Sequence, residues 1–323
     1  MRQLIWLALI AGISGCATAP RGPAATLAGA GMKATSAFST DVRSLGQKLA
    51  AGDVGKSFTT TWQSCKGKPD DACKPKLEGR DVNDLRRQLS AAIEARARAL
   101  DALHAAYSSL NDEAGYESGA DMESAVEAAT QTTATYVKLI SKLTGASPVL
   151  ETATKPLGWI AKVAAGASAE RRQRERLARA NAQIVEIVRQ LRGALASEAR
   201  VFATVADVVV NERLDAQVAL MDAGLVSATD MVAPLIASLN LIGAKDSEAK
   251  LAKSHAARTA VQAAYSTSSR AEITAINARY AASIAALDEL IGLHAQFAEK
   301  APLDVDGVQR NVYELQALTS GVH

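Results

Sequence analysis

The sequence predicts an all-α fold, an elongated antiparallel bundle of long helices, and three observations carry that expectation. Alanine, the strongest helix former, fills 67 of the 323 positions. Residues that favour strands or break helices are scarce, with 4% aromatics and 8 prolines. Apolar residues return every three or four positions over long stretches, the spacing of one helix face. A hydrophobic content of 48% is ample for a core. Lys+Arg outnumber Asp+Glu only by 36 to 34, too small an excess for a nucleic-acid binder that works by neutralising phosphates.

The first element is an address rather than part of the fold. Arg2 precedes the apolar run from Leu4 to Ile13, too short to span a bilayer and suited to a secretory signal. The run ends in Ile13-Ser14-Gly15-Cys16. This resembles the lipobox of bacterial lipoprotein precursors, with Ile where the family usually has Leu. The resemblance implies cleavage between Gly15 and Cys16, a diacylglycerol on the Cys16 thiol and an acyl chain on the new amine. Three chains, at about 0.8 kcal/mol per buried methylene, make an anchor that does not wash off. Ala17 follows the cysteine where Asp would retain the protein at the inner membrane, so the family's sorting rule implies the outer membrane, with the domain facing the periplasm. Residues 1–15 are then signal peptide. Residues 16–30, small and bearing Pro and Gly, read as lipidated cysteine plus flexible tether, and residues 31–323 as one helical-bundle domain.

Within that domain, Val42, Leu45 and Leu49 mark a first helix over 31–52. Residues 53–80 are rich in Gly, Pro and Lys and hold Cys65 and Cys73, an even pair separated by a turn-prone segment and expected to form a disulfide outside the cytosol. Asp81 caps a helix with Leu85, Leu89, Ile93, Leu100, Leu103, Tyr107 and Leu110 on one face, and Asn111 to Gly119 breaks it. Met122, Val126, Tyr136, Ile140 and Leu143 stripe the next helix. Residues 144–169 form an apolar connector, a packed turn or short helix. From Ala169 to about Met221, Leu177, Ile184, Val188, Leu191, Leu195, Phe202, Val205 and Val209 make the longest periodic segment, a rod of roughly 75 Å. Residues 224–244 are a second apolar connector. A last long helix runs from Lys245 to Lys300, Pro302 stops it, and Asp304 or Asp306 opens a short final one through Leu318. Short links make sequential helices antiparallel.

Few residues point to chemistry. Arg171, Arg172, Arg174, Arg176 and Arg179 cluster at the start of the longest helix and form a possible anion-contact patch. Glu170–Arg174 and Arg171–Glu175 at four-residue spacing favour instead a solvated helix laced by ion pairs. His104, His255 and His294 stand apart from each other and from cysteine at helical metal spacing, so they read as surface or boundary residues. Gly-rich phosphate loops and Glu-x-x-His pairs are missing from the sequence, so no cofactor, metal or catalytic residue is expected. The sequence therefore points to a non-enzymatic, lipid-anchored protein with a structural, adaptor or accessory role, partnered by the membrane and by another cell-envelope protein, and not by nucleic acid. Two alternatives are an α-helical pore-forming or membrane-remodelling effector that uses an apolar connector (144–169 or 224–244), and a carrier of a small ligand between helices. Lys155, Lys162 and Asp230 interrupt those connectors, which favours buried bundle ends over membrane entry.

Overall fold

The small residues that follow Arg21 build a helix, not a tether. The computed structural model describes residues 21–69, 73, 84–115, 119–145, 169–226, 233, 236 and 254–320. Helix α1 spans Arg21–Cys65, with Pro23 in the first turn, where its missing N–H costs nothing. Ala24, Leu27, Ala28 and Ala30 are buried, so residues 21–30 of the expected tether are helical and put one face into the core. Cys16 and residues 17–20 lie outside the described residues. Small side chains look like linker composition, yet in a bundle they let a neighbour come close: a Cβ on Gly31 would stand 2.3 Å from the Tyr107 ring. The same reason carries α1 past residue 52 into the segment expected to be a loop. Gly55 meets α4 so closely that a Cβ there would stand 2.8 Å from that of Ala216. After Cys65 the chain turns through Gly67 at φ 78°, and Cys65 and Cys73 form the expected disulfide with Cα atoms 5.1 Å apart.

Helix α2 covers Asp84–Ala114 and α3 covers Gly119–Thr144, with the expected break between them. Asp81, the expected cap, lies outside the described residues. Helix α4, Ala169–Asp222, has 54 residues and so runs about 80 Å. Helix α5 is His255–Glu299. It starts at His255 and not in continuous helix from Lys245, because Ser254 has extended backbone (φ −108°, ψ 106°) and its Oγ accepts the Ala257 N–H at 3.2 Å. Its end is set by Lys300 in the left-handed region, with the Ala301 N–H donating to the Gln296 carbonyl, just before Pro302. Helix α6 is Asp306–Ser320.

The all-α bundle is therefore present, and its direction is fixed by named contacts. Gly31 lies against Tyr107, Asp41 beside Arg96 and Leu49 against Arg86, so α1 and α2 are antiparallel. Asn181 meets His294, Arg192 meets Asp288 and Arg213 meets Glu272, so α4 and α5 are antiparallel too. Helix α4 breaks the alternation. Gln173 bonds Glu113 near the end of α2, Glu198 bonds Tyr136 in mid-bundle, and Glu212 bonds Arg86 near the start of α2. Helices α3 and α4 thus run parallel, because the 144–169 segment is no short link. Both apolar connectors lie almost wholly outside the described residues.

The predicted stripes supply the core. Leu89, Ile93, Leu100, Leu103, Tyr107 and Leu110 from α2 interlock with Leu177, Ile184, Val188, Leu191, Leu195 and Phe202 from α4, all buried. Alanines on α1 fill the axis between them, where α1 touches α2, α4, α5 and α6.

Candidate functional site

Charged side chains occupy the middle of this core. Arg96 (α2), Glu198 (α4), Asp41 (α1) and Arg279 (α5) are all buried, Glu198 completely. Tyr136 Oη donates to Glu198 Oε2 at 2.6 Å, Tyr280 Oη donates to Oε1 at 2.7 Å, and Arg96 Nη1 lies 2.9 Å from Oε1. Arg279 Nε donates to Asp41 Oδ1 and its Nη2 to the Asp41 carbonyl at 3.0 Å. Arg96 Nη2 is 3.9 Å from Asp41 Oδ2, and its guanidinium stands over the Tyr280 ring, 5.3 Å from the centroid. Thr319 of α6 approaches Asp41 at 3.5 Å. One layer of two cations, two anions and two phenols thus receives a side chain from each of the six described helices.

The layer shifts the titration of its two phenols and of Arg96. Burial, and then the field of Glu198, push the Tyr136 and Tyr280 phenols well above their usual range, so both keep their protons and act as donors. Burial works against the Arg96 charge, but Glu198, the two tyrosines and Asp41 together outweigh it and raise its pKa. The acids and phenols are engaged within the layer, whereas Arg96 Nε and Nη2 and Arg279 Nη1 are buried without a hydrogen-bond partner among the described residues.

A second polar contact lies nearer the start of α1. His294 Nδ1 donates to Asn181 Oδ1 at 2.7 Å, Tyr107 Oη donates to His294 Nε2 at 2.8 Å, and Asn181 Nδ2 donates back to the His294 carbonyl at 3.3 Å. Burial, helped by the charge of Arg189, lowers the His294 pKa to about 3, and burial raises that of Tyr107. His294 is 1% exposed, which corrects its expected place at the surface: the ring satisfies both nitrogens inside the core and needs no water. His104 is the expected boundary residue, its Nδ1 within 3.1 Å of Thr35 Oγ1 and 3.2 Å of the Met32 carbonyl. The side chain of His255 lies outside the described ones.

Toward the other end, ion pairs are half-buried. Arg86 bonds Glu212 and approaches Asp53 at 2.6 Å. Glu272 takes Lys48 and Arg213, each at 2.6 Å, and these pairs hold its pKa down although burial pushes it up. They close a cavity lined by Leu45, Leu49, Phe202, Val209 and Ile276, with room for about one water molecule. That is far below what a small-ligand pocket needs.

The arginine cluster is as laced as its spacing implied. Arg174 Nη2 lies 2.5 Å from Glu170 and Arg171 Nε 3.2 Å from Glu175. Arg176 turns inward to the buried Glu113 at 2.6 Å, while Arg172 and Arg179 are exposed. Among the described residues no group of three or more His, Cys, Asp and Glu is placed to hold a metal ion, and no helix is long and apolar enough to cross a membrane. The charged residues of the buried layer, Asp41, Arg96, Glu198 and Arg279, escaped the sequence analysis, although the seven-residue steps from Ile93 to Leu100 and from Leu195 to Phe202 skip the positions that Arg96 and Glu198 fill. Comparison with known proteins finds no matching family model, no matching curated protein and no matching solved structure.

Proposed function

We propose that this chain is a lipid-anchored protein of the bacterial cell envelope, held at the outer membrane through Cys16, whose helical rod serves as a spacer or adaptor for another envelope protein. The observation that carries this reading is Ile13-Ser14-Gly15-Cys16 five residues ahead of the first described helical residue, Arg21. Cleavage before Cys16 would leave every described residue in the chain. The rod supports a spacing role, since α4 runs without a break for about 80 Å. The Cys65–Cys73 disulfide suits an oxidising compartment. A non-enzymatic role agrees with the burial of Glu198 and Asp41 among Arg96, Arg279, Tyr136 and Tyr280.

The test is Cys16→Ser in the native host. The parent chain should sediment with membranes and carry acyl mass on an N-terminal Cys16. The variant should lose that mass and leave the membrane fraction or keep its leader. Mass spectrometry showing an unmodified Cys16 thiol on the parent chain would refute the anchor. Crosslinking in intact cells then identifies the partner.

A further inference from the structure

We propose that the anchored end of the bundle rests on the membrane through Arg172 and Arg179, whose guanidinium groups take the phosphates of anionic phospholipid headgroups; this rests on the acylation of Cys16 proposed above. The first ground is level. Gly31 packs on Tyr107, so in the antiparallel α1/α2 pair the end of α2 at Ala114 lies opposite Ala24. The start of α4 is pinned to that same end of α2 by Gln173 Nε2 on the Glu113 carbonyl at 2.6 Å and by Arg176 on the Glu113 carboxylate. The first turns of α1 and α4 therefore stand side by side at one end of the bundle.

The second ground is reach. Cys16 and Arg21 are five residues apart, and a fully extended chain covers at most about 3.6 Å per residue, or roughly 18 Å. An acylated Cys16 thus keeps this end close to the headgroups, whatever the tilt of the rod. Electrostatic attraction to a membrane acts within a Debye length, about 8 Å at physiological salt, so a patch at this end can use it.

The third ground is charge. Residues 170–179 hold five arginines against two glutamates, in a chain that is otherwise balanced. Arg171 and Arg174 are matched by those glutamates and Arg176 by Glu113. Arg172 and Arg179 remain, seven residues apart and so on one face of α4, both exposed and without an ion pair among the described residues. Arg172 projects from the first turn of the helix, where the N-terminal dipole also favours an anion, and Arg179 lies two turns further on. Planar forked donors fit phosphate oxygens better than a point charge does.

The acylated full-length chain, purified from membranes, is placed in vesicles of phosphatidylcholine alone or with phosphatidylglycerol, and arginine is modified with a water-soluble dicarbonyl reagent. Peptide mass spectrometry reads each site. Arg172 and Arg179 should react about fivefold more slowly in the anionic vesicles, and high salt should restore the rate. Arg200, exposed on the same helix and about 42 Å further along, should react equally in both. Equal rates at Arg172 and Arg179 in the two vesicle types, in a chain that floats with both, overturn the headgroup contact and leave the anchor standing. A chain that floats with neither overturns the anchor, and this contact with it.

Discussion

Replacing Glu198 by Gln tests the central layer with the least change of shape. The substitution keeps one acceptor oxygen, sets an amide N–H against whichever of the Tyr136 and Tyr280 hydroxyls that oxygen does not serve, and removes the charge that balances Arg96. Arg96 is 3% exposed and its next acid, Asp41, is 3.9 Å away and engaged by Arg279, so the guanidinium is left as an uncompensated buried cation. Breaking a buried pair in this way costs about 3–5 kcal/mol, a large share of the 5–15 kcal/mol that holds a typical domain together. Arg96→Met alone strands Glu198 and should cost a similar amount. The double variant, with neither charge, should be more stable than the sum of the singles implies by at least about 2 kcal/mol. Urea unfolding followed by helical circular dichroism measures all four corners of this cycle. Asp288→Asn, which breaks the half-exposed pair with Arg192, is the control and should change stability by less than about 1 kcal/mol. A Glu198→Gln cost below about 1 kcal/mol, or strictly additive singles, would refute the coupling.

Two further outcomes follow from the contacts around Tyr107. Gly31→Ala puts a methyl 2.3–2.5 Å from the buried Tyr107 ring, and since both helices are fixed by other packing it should lower the unfolding midpoint by the equivalent of about 1–3 kcal/mol, with Gly29→Ala, where a Cβ meets nothing within 4 Å, as the harmless comparison. His294 is held neutral with a pKa lowered to about 3, against about 6.5 when unfolded, so the unfolded chain binds the extra proton. Its contribution is complete above pH 6.5 and is lost as the pH falls toward 3, on the order of 4–5 kcal/mol in all. The difference between the parent and His294→Gln should shrink over that window, and a difference independent of pH would refute a buried neutral ring.

Much of this architecture was legible because its long helices are periodic. Each stripe residue named on α4, from Leu177 to Val209, is buried, and so is the α2 stripe from Leu89 to Leu110. Helix α1 was read too short at both ends because its buried face is built largely of small residues, Ala24, Ala28, Ala30, Ala34 and Ala37, which carry little of the hydrophobic contrast that marks a stripe in sequence. The direction of α4 was invisible because a connector of that length is compatible with either sense. The central layer was missed for a different reason. Arg96 and Glu198 stand at core positions of stripes that are otherwise apolar, and charge read in isolation suggests solvent. Their burial follows only from pairing across helices more than a hundred residues apart in sequence, which periodicity within one helix does not encode.

The ion pair between Asp41 and Arg279 joins residues separated by 238 positions. At a synthesis rate of about 5–20 residues per second, Asp41 leaves the ribosome roughly 10–50 s before its partner exists. The axial helix is thus made first and completed last. Until then Leu27, Phe38, Val42, Leu45 and Leu49, which the finished bundle buries, lack part of their cover. Such distant closure raises the contact order and slows the final docking. A chain cut before Arg279 would therefore hold a half-clothed axis with an orphaned acid, and quality-control proteases would have a clear signal to act on.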